Sequence, residues 1–325
     1  MNIALAINMK FAKYAYVLLA SILENNDNVN IYILYSSLTE EIMDGLEKFV
    51  KKYGEKVVFI NVGNIFEKFP VMEKWPAEIY YRLLLPYILP DTEARVLYLD
   101  TDVVNIKGLK DLYDVDFEGK SLAACQDVSS GRLSEIQGRL FEEFNGRETI
   151  YYNSGVLLMN LPKIRERYCL DDFFEFIMKK RELLTAYDQD TINYLFHDDI
   201  LDLPSDTYNL YARVFYNSGV KKKDIDNANV YIIHFTGPKP WSENNLRTDI
   251  ELFWWKYAKL TPYYHEFMES LLLGMMENNY TESNEFKYLN HQLIIAQDEI
   301  KRVQAKNSEL IEIVNECRDM VAKLN

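Results

Sequence analysis

The residues in this chain best suited to chemistry are Asp100 and Asp102, which end the apolar run RVLYLDTDVV. Carboxylates are costly to desolvate, so a pair set among apolar residues needs a purpose. In extended backbone, residues i and i+2 project to the same side. Two convergent carboxylates suit a hard divalent cation such as Mg²⁺ or Mn²⁺. The competing reading is a turn with helix-capping aspartates. His234 closes a second apolar run, YIIHFTGPKPW, ahead of a Gly-Pro turn, Lys239 and Trp241. A neutral imidazole could join two carboxylates on a metal, and a nitrogen donor favours Mn²⁺ over Mg²⁺. Alone, His234 reads equally as a hydrogen-bonded histidine at a strand end. Lys239 could meet a phosphate as a point charge. His197, His265 and His291 have no such context.

In AYDQDTIN, Asp188 and Asp190 flank Gln189 and precede a run patterned as a helix, with Ile192, Leu195 and Phe196. They read as helix-capping carboxylates. They also read as a sugar site: acids and an amide that hydrogen-bond hydroxyls and supply a nucleophile or a charge stabiliser. Asn153, in YYNSGVLLMNL, reads alone as a junction between loop and strand.

The elements that must position these residues alternate. NIALAI, VNIYILY, KVVFINV and RVLYLD read as strands. FAKYAYVLLASILEN, LTEEIMDGLEKFVKKYG and AEIYYRLLLPYIL between them read as helices. That alternation predicts βαβ units and a mainly parallel sheet covered on both faces. Ligands then bind at the carboxyl ends of the strands, where Asp100 and Asp102 fall. Further on, SLAACQD, SGVLLMNL and ANVYIIHF read as strands, and DDFFEFIMKKREL, DIELFWWKYAKL and PYYHEFMESLLLGMM as helices.

With 325 residues, 48% of them hydrophobic, the chain can build a large core plus an appendage. A formal net charge of −14 disfavours nucleic acid and anionic membrane as partners. Cys125, Cys169 and Cys317 lie far apart, with neither a zinc spacing nor a disulfide framework, which fits a reducing compartment. The first apolar run lacks a basic flank and is interrupted by Asn8, Lys10 and Lys13, so it reads as strand and helix rather than a signal peptide. No apolar run is long enough to span a bilayer.

The tail differs. Leu289, Leu293, Ala296, Ile300, Val303, Asn307, Leu310, Val314, Cys317, Val321 and Leu324 are spaced alternately by four and three. This heptad seam predicts a coiled coil, and Asn307 at an a position favours a parallel homodimer. The expected organisation is a catalytic domain over 1–245, an aromatic-rich helical segment over 246–283, and an oligomerisation helix over 284–325.

In chain order, LYLDTDVV, YYNSGVLLMNL, YDQDTIN and HFTGPKPW resemble the motifs of glycosyltransferase family 8. These are retaining nucleotide-sugar transferases with a GT-A fold, and include bacterial lipopolysaccharide galactosyl- and glucosyltransferases and glycogenin. YYRLLLP resembles the family's Y-x-R-L helix, with Arg82 at the arginine. The resemblance covers Met1 to about Asn245. It implies that Asp100, Asp102 and His234 hold Mn²⁺, with Mg²⁺ as the second choice, against the donor diphosphate. Thr101, between the aspartates, counts among the donor contacts. Gly237 and Lys239 would touch the diphosphate. Arg82, Asp127, Asn153, Asp188 and Gln189 would line the sugar site, with Asp190 beside them, and either the Asp190 carboxylate or the Gln189 amide would sit beneath the oxocarbenium-like centre. Ala6 to Phe11, Asn8 included, would hold the uridine, with Phe11 stacked on uracil. Two departures stand out. Asn8, Met9 and Lys10 replace the acidic residue often found at the first strand's end. One residue, rather than two, separates Gly237 from Lys239.

The resemblance implies a hexosyltransferase that moves glucose or galactose from UDP-glucose or UDP-galactose to a glycan, lipid-linked or protein acceptor. Cell-surface polysaccharide synthesis, in the cytoplasm or at the inner face of the membrane, is the expected setting. A sugar nucleotidyltransferase also uses paired aspartates, but usually carries a glycine-rich N-terminal loop, and AINMKFAKY has no glycine. A non-catalytic scaffold acting through the coiled coil is the other alternative.

Overall fold

The computed structural model describes residues 1–70, 76–127, 135–144, 150–215, 221–242 and 249–277. The chain divides into two compact units, Met1–Phe267 and Met268–Asn325. The heptad seam from Leu289 to Leu324, and the homodimer expected of it, lie outside the described residues.

The first unit is a GT-A-like α/β fold. β1 (Asn2–Ala6) leads into the helix α1 (Ala12–Asn25), then β2 (Asn30–Tyr35), the helix α2 (Glu40–Lys51) and β3 (Lys56–Asn61). β4 (Arg95–Leu99), β5 (Val103–Asn105), β6 (Leu122–Gln126) and β7 (Tyr152–Asn160) follow. β8 (Ile200–Leu203), β9 (Leu210–Tyr211) and β10 (Ile232–His234) complete the strands.

Seven strands form one sheet in the order β3-β2-β1-β4-β7-β6-β8. β3, β2, β1 and β4 run parallel, as do β6 and β8, while β7 is antiparallel to both its neighbours. The expected mainly parallel sheet is present. Ile3 and Leu5 on one face and Ala4 on the other are fully buried in β1, as are Ile33 and Leu34 in β2, as strands covered on both faces require. The strand order reverses beside β1, so the ends of β1 and β4 flank a switch-point crevice, the general ligand position in such sheets.

A second sheet, β5-β10-β9, is small. β10 pairs antiparallel to β5 and parallel to β9, with His234 opposite Val103 and Tyr211. α1 holds this sheet in place. Asn105 in β5 donates its N–H to Ser21 Oγ (3.0 Å), and Asn26 Nδ2 donates to Asn105 Oδ1 (2.7 Å). α1 has no side-chain cap at its N-cap residue, Phe11. A cap is worth about 1 kcal/mol, whereas each fully buried leucine, such as Leu18 or Leu19, is worth roughly 2 kcal/mol. Burial therefore holds this helix.

Two expected helices differ in detail. AEIYYRLLLPYIL forms a 3₁₀ helix over Ala77–Leu84 and an α turn over Leu85–Ile88. The helix Tyr187–Leu195 begins before the DQD motif, so Asp188 and Asp190 lie within its first turn rather than ahead of it.

Candidate active site

β4 ends at Leu99, and the next residues turn rather than extend: Val103 N–H donates to Asp100 O (3.3 Å). The expected alternation of an extended strand therefore does not bring the aspartates together. The turn does, and anchors at both ends fix it. Asp100 N–H donates to Gly155 O of β7 (2.8 Å), and Phe235 N–H donates to Asp102 O (2.9 Å). β10 delivers His234 to the same point. One ligand atom each from Asp100, Asp102 and His234 lie within 4.8 Å of one another. Gly155 leaves the space they occupy, since a Cβ there would sit 2.5 Å from His234 Cε1 and 2.6 Å from Asp100 Oδ2. Two hard oxygens and one imidazole nitrogen, packed this closely around a side-chain-free position, fit a small divalent cation.

The triad forms one wall of a cavity of about 370 Å³. Arg82, Asp127, Asn153, Asp188, Gln189, Gly237 and Lys239 also line it, as expected. Four aspartates and three cationic side chains face it, so its formal charge is −1, and +1 with a divalent cation. Lys239 Nζ reaches Asp102 Oδ2 and donates to Phe235 O (2.8 Å), so the shortened spacing to Gly237 still delivers the lysine to the site. Gly237 makes that turn at φ +85, where other L residues are strained. Burial alone would raise the Asp102 pKa. The Lys239 ammonium and the His234 imidazole outweigh it and hold the carboxyl well below the usual range.

Beside Asp100, Arg82 is buried beneath the Tyr98 ring, 4.3 Å from its centroid. Its Nη2 donates to Asp100 Oδ1 (2.9 Å) and its Nη1 to Ser154 O. Its Nε lies 3.2 Å from Asp188 Oδ2, but the Nε hydrogen is directed at Ile79 O (2.9 Å). The Arg82–Asp188 contact is therefore one of charge alone, and Asp188 Oδ2 is buried without a hydrogen-bond donor among the described residues. Burial pushes the Asp188 carboxyl up, Arg82 pulls it back and Asp100 adds repulsion; the balance leaves it at about 6.

Other expected residues sit elsewhere. Asp190 is fully buried and does not line the cavity. Its carboxylate accepts from Tyr151 Oη (2.5 Å), Thr185 N (2.6 Å) and Ala186 N (2.7 Å), which pins the loop ahead of the helix. Ala6, Asn8, Phe11 and Thr101 are also absent from the lining. Asn8 Oδ1 instead accepts from Phe11 N (3.2 Å) at the start of α1, and the Phe11 ring packs edge-on to Tyr14. Tyr151, Ser154, Ala186 and Thr236, inside the quoted motifs but not picked out from them, and Ile79, Tyr211 and Arg213 complete the lining.

The fold and this site define a GT-A-type enzyme with a candidate cation centre beside a polar cavity. The profile of Glycosyl transferase family 8 matches residues 2–245, and the chain belongs to that family. It is 29% identical over 257 residues to a lipopolysaccharide 1,2-glucosyltransferase of Escherichia coli, covering 74% of this chain and 73% of the relative. It is 26% identical over 243 residues to glycosyltransferase GlyF of Streptococcus pneumoniae, with 74% of this chain spanning only 56% of that relative's length. The galactosyltransferase LgtC, solved in complex with donor and acceptor sugar analogues, superposes with a TM-score of 0.66 at 23% identity over 89% of this chain and 100% of LgtC. At that identity the likeness speaks for the fold. Family membership makes the chain a hexosyltransferase. Among the described residues, no helix is long and apolar enough to cross a membrane.

Proposed function

We propose that this enzyme transfers glucose or galactose from a UDP-sugar to a sugar-containing acceptor, with retention of anomeric configuration and with Mn²⁺ at Asp100, Asp102 and His234. The observation that carries this reading is the triad of Asp100, Asp102 and His234 on the wall of a cavity that Asn153, Asp188, Gln189 and Lys239 also line. The names of the relatives, a glucosyltransferase and a galactosyltransferase bound to sugar analogues, support this substrate class. When bound, the cation offsets diphosphate charge and favours departure of UDP. Lys239 and Gly237 flank that diphosphate. Asn153, Asp188 and Gln189 orient the sugar, with the Gln189 amide beneath the oxocarbenium-like centre. The leaving phosphate oxygen takes the acceptor's proton. Asp190 supports this constellation through its loop rather than by touching the sugar. The clustering of Asp100, Asp102 and His234 speaks against a pure scaffold, and family membership against a nucleotidyltransferase.

The test is release of UDP from UDP-glucose and UDP-galactose in Mn²⁺, Mg²⁺ and EDTA, with NMR of the first-formed sugar product. Cation-dependent release and an α product from the α-linked donor are expected. Equal release in EDTA sinks the cation role, and a β product sinks retention.

The Asp188 carboxyl makes a separate prediction. Unfolded, it titrates at its ordinary 3.8; folded, at about 6. Between those values the native state binds more protons, so stability falls as pH rises through the window. The loss levels off above it at about 3 kcal/mol. Asp188→Asn should therefore match wild-type stability near about pH 4 and exceed it by about 3 kcal/mol at about pH 8, while losing transfer activity. Denaturant melts at the two pH values decide this, and parallel stabilities at both pH values contradict it.

A further inference from the structure

Asn209 belongs to no motif and does not line the cavity, yet it is fully buried between the two halves of the site. It stands immediately before β9, whose neighbour β10 carries His234. His234 Nδ1 lies 2.8 Å from Asn209 Oδ1. Asn209 Nδ2 donates to Asn153 Oδ1 (2.9 Å), Asn153 Nδ2 to Gln189 Oε1 (3.0 Å), and Gln189 Nε2 to Asp127 Oδ2 (2.9 Å). These contacts run unbroken from a cation ligand to the sugar side.

The direction of the chain is fixed by backbone groups, whose roles are not interchangeable. Ser154 N–H donates to Gln189 Oε1 (3.0 Å), so that atom is the amide oxygen and Nε2 faces Asp127. Gly155 N–H donates to Asn153 Oδ1 (3.0 Å), which fixes the second amide in the same sense. Asn209 must then present its NH₂ to Asn153 and its oxygen to His234. An oxygen can only accept, so the proton lies on His234 Nδ1. Nε2 faces Asp102 Oδ1 at 3.1 Å, and this is the contact that a bound cation would take over.

We propose that Asn209 is a positioning residue: it holds His234 as the Nδ1-protonated imidazole, with Nε2 turned to the cation, and through Asn153 joins the cation site to Gln189. Partners of this kind set the tautomer and orientation of a metal-bound histidine, and their loss costs roughly 10–100-fold in metal affinity or activity. The proposal rests on the cation reading of Asp100, Asp102 and His234, so its first test needs no cation.

In ¹⁵N-histidine NMR of the full chain without metal, wild-type His234 should carry its proton on Nδ1. A bare Nδ1 overturns the proposal. Asn209→Ala should lose that preference and bind Mn²⁺ roughly 10–100-fold more weakly in an EPR titration. Asn209→Asp keeps an acceptor for Nδ1–H but loses the donor to Asn153. It should hold Mn²⁺ affinity within about threefold while kcat falls about tenfold or more with KM little changed. Circular dichroism checks that both variants fold. Wild-type Mn²⁺ affinity in a folded Asn209→Ala overturns the proposal. Failure of the wild type to bind Mn²⁺ overturns the cation reading instead, and the NMR result still decides the tautomer.

Discussion

Asp102→Ala should weaken UDP binding in Mn²⁺ by roughly 10³-fold, down to the level seen in EDTA. Asp102 is one of two carboxylates in the candidate triad, with His234 Nε2 at 3.1 Å from one oxygen and Lys239 Nζ on the other. Removing one member of a buried charged set costs about 3–5 kcal/mol, and each 1.4 kcal/mol is about tenfold in affinity. One effect opposes this. Without Asp102, Lys239 is released to meet the diphosphate directly. The lysine keeps 29% of its side chain exposed, and an exposed point charge is worth about 1 kcal/mol at most, so it does not restore the loss. Asp102→Asn should behave alike, because it keeps the shape and removes the charge. Isothermal titration of UDP with Mn²⁺ and with EDTA decides it. A variant that retains cation-dependent UDP binding within tenfold of wild type removes Asp102 from the centre.

The same side-chain types were legible or illegible in the sequence according to the backbone that carries them. Asp100 and Asp102 stood out because charge follows an apolar strand abruptly, and the turn after Leu99 draws them together. Asp188 and Asp190 have the same spacing on a helix, where successive residues turn by about 100°. Two steps put Asp190 on the opposite side, against Tyr151 and the Thr185–Ala186 loop, while Asp188 and Gln189 face the cavity. Nothing in DQD itself says which acid faces the ligand.

β1, β2 and β4 were readable because strands buried on both faces are continuous apolar runs, and β3, at the sheet edge with Val58 exposed, because its run is apolar all the same. That symmetry hides direction, so the antiparallel course of β7 had no signature. β9 is two residues long, too short for any periodicity, and the position of Asn209 beside it was therefore invisible. Tyr211 and Arg213 are single residues without spacing, and only the β9–β10 pairing places them at the site. Phe11 was expected at the nucleotide from the resemblance. It lies where the sheet's switch point falls, but at the start of α1 rather than in the cavity lining.

Gly155→Ala should leave the fold intact and lower Mn²⁺ affinity by at least about 10²-fold, since it displaces the ligands themselves and the loss of their outer partners alone costs roughly 10–100-fold. The added Cβ would sit 2.5 Å from His234 Cε1, 2.6 Å from Asp100 Oδ2 and 3.1 Å from Asn153 Oδ1. Carbon atoms pack at about 3.5–4.0 Å, so something must shift by about 1 Å. The strand cannot retreat. β7 lies between β4 and β6 in the seven-stranded sheet, and Gly155 O accepts from Asp100 N (2.8 Å). The side chains must move, and those are two of the three candidate ligands. Cation–ligand bonds for a small divalent ion are about 2.0–2.2 Å long, so displacements of this size break them. Rotating the two side chains aside costs the fold about 1–3 kcal/mol, the usual range for overpacking. The same substitution at Gly138, where a Cβ meets nothing within 4 Å, should leave Mn²⁺ binding untouched. It should stabilise the helix Glu135–Phe141 by up to about 1 kcal/mol. EPR titration of Mn²⁺ and thermal melts on both variants test the pair. A folded Gly155→Ala protein with wild-type Mn²⁺ affinity would show that Asp100 and His234 do not close on a cation across this glycine.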